Sequence, residues 1–301
     1  MRNRFVRLVL LGVLAFSATM AEALEAWVYG VSSNAGWYDN NKNGDGDYNL
    51  CWAASAANVI NWWQRYSNYT STTAPTGTGV WDTFKSTFAN EMGNPVNALY
   101  WFYYGSPFVV DVSYNTGVDT AGGFYEDLAS IDLEIYMTPS SGPALKESTM
   151  AKTILSYMEQ KRGISLALTN DATNKLAHAI TLWGMDYEVD VNGVYSINKL
   201  YVTDSDDYGI SSEPRLYTLI KADYGTELST TYEDVFVFTS EKDGWYSAYE
   251  GVDEDRKPVY NRVDDIYALA LVNPIDLPEP STGVLVLTGL GLLLRRRRRV
   301  A

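Results

Sequence analysis

Apolar residues recur at helical spacing in "CWAASAANVINWWQRY", residues 51–66. Trp52, Ala56, Ile60 and Trp63 stand three and four apart in an Ala-rich stretch without glycine or proline, which predicts a helix. After the loop "TSTTAPTGTG", the stretch "VWDTFKSTFANEM" at 80–92 predicts a second, more polar helix. "STMAKTILSYMEQKRG" at 148–163 predicts a third, with Ser148 as its cap and Gly163 as its stop signal. Residues 24–47 open with strand character and pass into turn-dense Asn, Asp and Gly. Residues 94–147, with aromatic runs such as "ALYWFYYG" and several glycines, follow no single period.

The second half changes period. "ISLALTN", "AHAITLWGMDYEV", "VYSINKLYVTDSDD", "RLYTLIKADYG", "EDVFVFTS" and "IYALALVN" are rich in β-branched and aromatic residues and predict strands. "DVNGVY", between two of them, carries an Asn-Gly hairpin signal. Helices first and an antiparallel sheet afterwards describe an α+β protein built as two lobes around a cleft. Neither an internal repeat nor a linker divides the body.

The two ends read differently from this body. "MRNRFVRLVLLGVLAFSATMAEA", residues 1–23, has three arginines, an apolar core and a small-residue ending, the layout of a secretory signal peptide cut near Ala23. Residues 277–301 give a Pro-Glu-Pro, a twelve-residue apolar stretch at 283–294, and arginines at 295–299. That stretch is shorter than the roughly 20 residues of a spanning helix, and the arginine block would hold it on the cytoplasmic side. The expectation is an exported chain whose body, residues 24–276, is a single domain of the cell envelope, cell surface or medium. Setting the ends aside removes eight arginines and two glutamates from totals of 23 basic and 37 acidic residues, so the body carries a net charge of −20. Such a surface repels nucleic acid and anionic membranes. The 14% of aromatic residues is too high for a disordered acidic chain.

Charge excludes partners; chemistry comes from a few rare residues. Cys51 is the single cysteine of the chain and stands where a turn-rich loop gives way to a helix. A thiol at a helix N-terminus feels the positive end of the backbone dipole, which favours the nucleophilic thiolate. The alternative is a small buried core residue. His178 is the single histidine and opens a predicted strand after a polar loop. Nucleophile first and base 127 residues later, on helix and then strand, is the papain-like order. "YVTDSDD" ends the following strand and offers Asp204 and Asp206 on one face, where a carboxylate would hold the imidazole.

Two blocks, "NAGWYDNNKNGDGDYNLCWAASAANVINWW" and "HAITLWGMDY…LYVTDSD", resemble the secreted immunoglobulin-G-degrading cysteine endopeptidases, the IdeS/Mac family. The shared features are the GWYD stretch, the cysteine opening an Ala-rich helix that ends in two tryptophans, the H-x-I-x-L-W-G-x-D strand and the YVTDSD strand end. The resemblance implies a papain-like fold, with Cys51 as nucleophile, His178 as base, Asp204 as the acid orienting it and Asp206 as a second acid. It also implies an oxyanion donor beside the backbone N–H of Cys51, and counting on from GWYD gives Lys42, allowing for one missing residue. The implied partner is a protein or peptide substrate, with immunoglobulin not favoured because similarity outside the blocks is thin. The C-terminal tail resembles the PEP-CTERM sorting signals of Gram-negative bacteria, which implies an exosortase-type processing enzyme as a partner.

The loop "DNNKNG" from Asp39 also matches the start of a calcium loop, but its twelfth position, which needs a bidentate glutamate, is Leu50. One cysteine and one histidine cannot close a structural zinc site. The expectation is no metal and no cofactor. Two functions of different class follow: an exported cysteine endopeptidase, or a non-catalytic acidic surface, adhesion or matrix module of the same fold. A binding module has no need of one cysteine, one histidine and an Asp-x-Asp in catalytic order, and this favours the enzyme.

Overall fold

The computed structural model describes residues 23–44, 46–105, 122–125, 127, 128, 130–137, 146–170, 175–206, 214–221, 237–240, 251–252, 258–259 and 261–277. The expected leader and nearly all of the C-terminal tail lie outside these residues. Strand β1 (Leu24–Trp27) leads through a loop to helix α1 (Cys51–Tyr66), α2 (Thr78–Thr87) and α3 (Pro95–Tyr104). Strand β2 (Leu133–Met137) and helix α4 (Glu147–Glu159) follow. Then come β3 (Arg162–Asn170), β4 (Lys175–Val189), β5 (Tyr195–Thr203), β6 (Tyr217–Lys221), β7 (Val237–Ser240), the short pair β8 (Gly251–Val252) and β9 (Pro258–Val259), and β10 (Asn261–Ala270). The order is α+β, as the change of period predicts.

All strand pairings in the main sheet are antiparallel. The path β4–β3–β10–β7–β6–β5 returns to β4 through the β4–β5 hairpin, so the pairings close a ring. β1 and β2 extend it on β4 and β10. The Asn-Gly hairpin signal holds: Val189 pairs with Tyr195, and Gly193 takes the left-handed φ of 76° that the turn requires.

Helix α1 is the hub of the core. Thirteen of its sixteen residues are buried, including Trp52, Ile60, Trp62 and Trp63. It packs on β3 and β4 on one side and on α2 and α3 on the other. Opposite it, Ser165 and Ala167 of β3 pair with Thr181 and Ala179 of β4. Alternate residues share a strand face, so these four small side chains form a shallow bed on which a helix can lie close. The main cluster of buried apolar side chains runs without a break from α1 through the sheet.

Several boundaries differ from the sequence reading, each for a physical reason. The second helix starts at Thr78 and ends at Thr87, because Phe88 turns extended while its N–H still bonds Phe84. α4 begins at Glu147 with Lys146 at the cap position, so Ser148 is not the cap; its hydroxyl accepts from the Tyr195 N–H and ties the helix to β5. Gly163 does not stop the helix, which ends at Glu159 before Lys161 takes a φ of 56°. It lies in β3, where a Cβ would come within 2.7 Å of the Trp62 ring, so its lack of a side chain serves close packing against α1. The ambiguous 94–147 segment contains α3, which has a capping Asn94 and Pro95 at its first turn.

Candidate functional site

Cys51 is the first residue of α1, and the loop before it is built to hold it there. The buried Asp47 carboxylate accepts the N–H groups of Asn43 at 3.0 Å and Gly44 at 2.9 Å, while its carbonyl accepts the Leu50 N–H. Leu50, the residue that breaks the calcium pattern, is fully buried in the core. It occupies the cap position without a side-chain hydrogen bond, so the thiol stands beside first-turn N–H groups that no capping side chain covers. The sulfur side chain is half-buried, and Cys51 is a free cysteine.

His178 comes from β4, beside an irregularity. Leu168 pairs with His178 and Thr169 with Leu176, which leaves Ala177 as an extra residue. Such bulges re-aim the side chains next to them. The imidazole Nε2 hydrogen-bonds Asp204 Oδ1 at 2.6 Å, and the same oxygen accepts the Asp206 N–H at 2.9 Å. Asp204 is buried. The other ring nitrogen, Nδ1, lies 3.8 Å from Asp206 Oδ2. The sequence reading put both aspartates on one face of a strand. β5 instead ends at Thr203, so they converge on the ring from the turn that follows it.

Lys42 reaches the same place from the loop after β1. Its N–H donates to Ser205 O at 2.9 Å, which pins the loop to the turn carrying both aspartates. Its ammonium donates to Tyr48 O at 2.7 Å and pairs with Asp206. An ammonium has three N–H groups, so one more acceptor can be served. The five residues singled out from the sequence therefore meet at one cleft, which Cys51, His178, Lys42 and Asp206 all line.

Electrostatics couples them. Burial pushes the Cys51 thiol up, but the His178 charge, its hydrogen bond and the Lys42 ammonium together bring it below its ordinary value, with Asp206 opposing. Burial pulls His178 down, yet the Asp204 carboxylate, Cys51, the hydrogen bond to Asp204 and Asp206 hold it well above the usual imidazole value. The arrangement favours thiolate facing imidazolium.

His178, Asp204 and Asp206 also form a group of ligand-type side chains, with one ligand atom from each within 4.8 Å of the others. Within this group the His178 Nε2–Asp204 Oδ1 hydrogen bond is 2.6 Å. In the neighbouring loop, Asp39 Oδ2 accepts the N–H of Arg215 at 2.8 Å.

No family model matches the chain. It is similar to a curated protein called IgM protease from Streptococcus suis (strain P1/7), at 27% identity over 210 aligned positions covering 57% of this chain. The similarity is to a protease. The chain spans 18% of that protein's length.

The far wall of the cleft was not foreseen. It comes from residues 92–95 together with Ala167 and Tyr267. Asn94 caps α3 by accepting the Val96 N–H at 2.9 Å, and its amide donates to the Tyr267 hydroxyl at 2.8 Å. The Asn-Pro pair at 94 and 95 was the available signal, since a capping residue followed by proline marks a helix start.

Proposed function

We propose that this chain is an exported cysteine endopeptidase of papain-like fold that cuts peptide bonds in a protein substrate. One observation carries the reading: an imidazole faces a helix-start thiol while its other nitrogen is held by a buried carboxylate at 2.6 Å. In papain-like order, the thiol rides a helix early in the chain and the imidazole a strand of a closed antiparallel sheet later. The similarity to a protein named IgM protease supports peptide hydrolysis.

The Cys51 thiolate attacks the peptide carbonyl carbon, and the electron pair of the C=O moves onto oxygen. The Cys51 N–H and the Lys42 ammonium receive that oxyanion. His178 gives its Nδ1 proton to the leaving amine as the C–N bond breaks, leaving a thioester. Neutral His178 then takes a proton from water, which attacks the thioester and frees Cys51. Asp204 keeps the ring oriented and stabilises imidazolium throughout. Asp206 holds Lys42 beside the sulfur. Export through the leader and processing at the Pro-Glu-Pro tail by an exosortase-type enzyme belong to the same proposal, and immunoglobulin is not the favoured substrate.

Incubating the wild-type chain and Cys51→Ala with a broad peptide library tests the reading. Wild type should cut and Cys51→Ala should not, with unchanged circular dichroism. Cleavage that survives both this substitution and alkylation by iodoacetamide would rule out a thiol mechanism.

A further inference from the structure

Beneath the cleft, α1, the loop after β1 and strands β3, β4 and β5 meet through a buried polar cluster. α1 places Cys51, Ser55 and Asn58 at positions i, i+4 and i+7, along one face. Asn58 Oδ1 accepts both the backbone N–H of Asn40 at 2.9 Å and its side-chain amide at 2.7 Å. Asn58 Nδ2 donates to Thr181 Oγ1 at 3.1 Å and Thr203 Oγ1 at 3.3 Å. Two donors and two acceptor sites exhaust what one amide can do. Thr203 Oγ1 in turn accepts from Trp183 Nε1 at 2.8 Å and donates to Tyr38 O at 2.8 Å. Ser55 Oγ donates to Ile180 O at 2.9 Å or to Ser165 Oγ at 2.8 Å. Asn58, Thr181 and Thr203 are each at most 1% exposed.

The partners of Asn58 are specific to the site. Asn40 is two residues before Lys42. Thr181 is three residues after His178 on β4. Thr203 immediately precedes Asp204. Asn58 itself is two turns along the helix that Cys51 starts. One amide therefore ties together the segments that carry Cys51, Lys42, His178 and Asp204. Apolar packing alone tolerates sliding of a helix on a sheet, whereas hydrogen bonds in a buried site fix direction and register.

We infer that Asn58, with Thr203 as its relay, is a positioning residue that sets the thiol helix, the lysine loop and the imidazole and carboxylate strands in their working alignment. The inference rests on the endopeptidase reading and touches no reacting atom. A misplacement on the order of 1 Å far from the chemistry can lower turnover ~10²-fold, and parting thiol from imidazolium returns the sulfur toward an ordinary thiol.

The test uses Asn58→Leu, which keeps the branching at Cγ and removes all four hydrogen bonds, and Thr203→Val, which removes the relay hydroxyl. Thr203→Ser restores that hydroxyl. Glu147→Ala removes another buried polar group, which accepts the Ile197 N–H away from the cleft. The readouts are the pH dependence of Cys51 alkylation by iodoacetamide, kcat and KM on a peptide that wild type cuts, and the melting temperature. Asn58→Leu and Thr203→Val should lose kcat by ~10²-fold with KM changed little. Their alkylation midpoint should move up toward ~8.5, the free thiol value. Thr203→Ser should stay near wild type, and Glu147→Ala should lower the melting temperature without moving the midpoint. Folded variants that keep the wild-type midpoint and kcat would overturn the inference, as would failure of both variants to fold, which would make the cluster a requirement of the fold itself. A wild-type midpoint at the ordinary thiol value would sink the endopeptidase reading instead, whatever the variants do.

Discussion

His178 has a carboxylate on each side of its ring, and the two act differently. Asp204 is bonded to Nε2 and supplies the main charge holding the imidazole above its usual value. Asp206 stands off at 3.8 Å and is balanced by the Lys42 ammonium. The signs for pH follow. On the endopeptidase reading, activity falls on the acid side as the lowered Cys51 thiolate takes up a proton. On the alkaline side, it falls as the raised His178 loses one. Asp204→Asn removes the charge that supports imidazolium, so the alkaline limb should move down. Weaker imidazolium supports thiolate less, so the acid limb should move up. The bell should narrow from both sides and the maximum should drop ~10²–10⁴-fold, and a pH–rate profile of the variant checks both limbs. The raised His178 also links folding to pH: its contribution is full below the unfolded imidazole value, ~6.5, and disappears as pH rises through the folded value. Cys51 and His178 stood out in the sequence as the single cysteine and the single histidine of the chain, and the structure brings both to one cleft. Asn58 was not legible, since nothing in a sequence separates a polar residue buried on the inner face of a helix from a tolerated one.

Among the elements, α1 was readable to the residue because its period, composition and flanking turns agree. α3 was hidden by its aromatic content, which leaves no polar face: seven of its ten residues are buried. Its start is where the cleft wall lies. There the Gly93 backbone rests against Trp52, and a Cβ on Gly93 would stand 2.3 Å from the indole Cε2. The indole is fixed in turn, donating to Glu91 O at 3.0 Å and packing on Phe88 with centroids 4.9 Å apart. Gly93→Ala should therefore push the wall away from α1. The expected destabilisation is ~1–3 kcal/mol, the range for overpacking, read by denaturant unfolding, and on the endopeptidase reading cleavage should fall with it because Trp52 directly follows Cys51. The misjudged ends of α2 and α4 have a different origin. α2 ends where Phe88 turns extended and packs its ring on Trp52 and Trp101, and α4 ends before Lys161 takes a left-handed φ; terminal residues carry little local signal of either.

At the scale of the whole molecule, the excess of acidic residues is a cost to compactness. A net charge of −14 on the chain sets like charges against one another across the surface. Screening shortens the reach of that repulsion, from ~30 Å at 0.01 M salt to ~8 Å at 0.15 M. The melting temperature should therefore rise when sodium chloride is raised over that range at constant pH, as calorimetry would show. A flat or falling curve would mean that ion pairs such as Arg162 with Asp132 and Glu134 outweigh the general repulsion. The α+β order was legible from the change of period midway, whereas the closure of the sheet was not. Closure depends on β10 meeting β7 across Asn261–Phe238 and Arg262–Val237, a pairing between distant stretches that no local pattern announces.

The pairing of β4, β3 and β10 has one more consequence. His178, Ala167 and Tyr267 stand on these adjoining strands, so among the described residues both banks of the groove are tied to one sheet. Adapting to the reaction then falls to the polypeptide that enters. A linker already stretched out can lie down at once, while a coiled segment has to unwind beforehand. On the endopeptidase reading, the places cut should be the loose joints of other proteins and not their ordered cores.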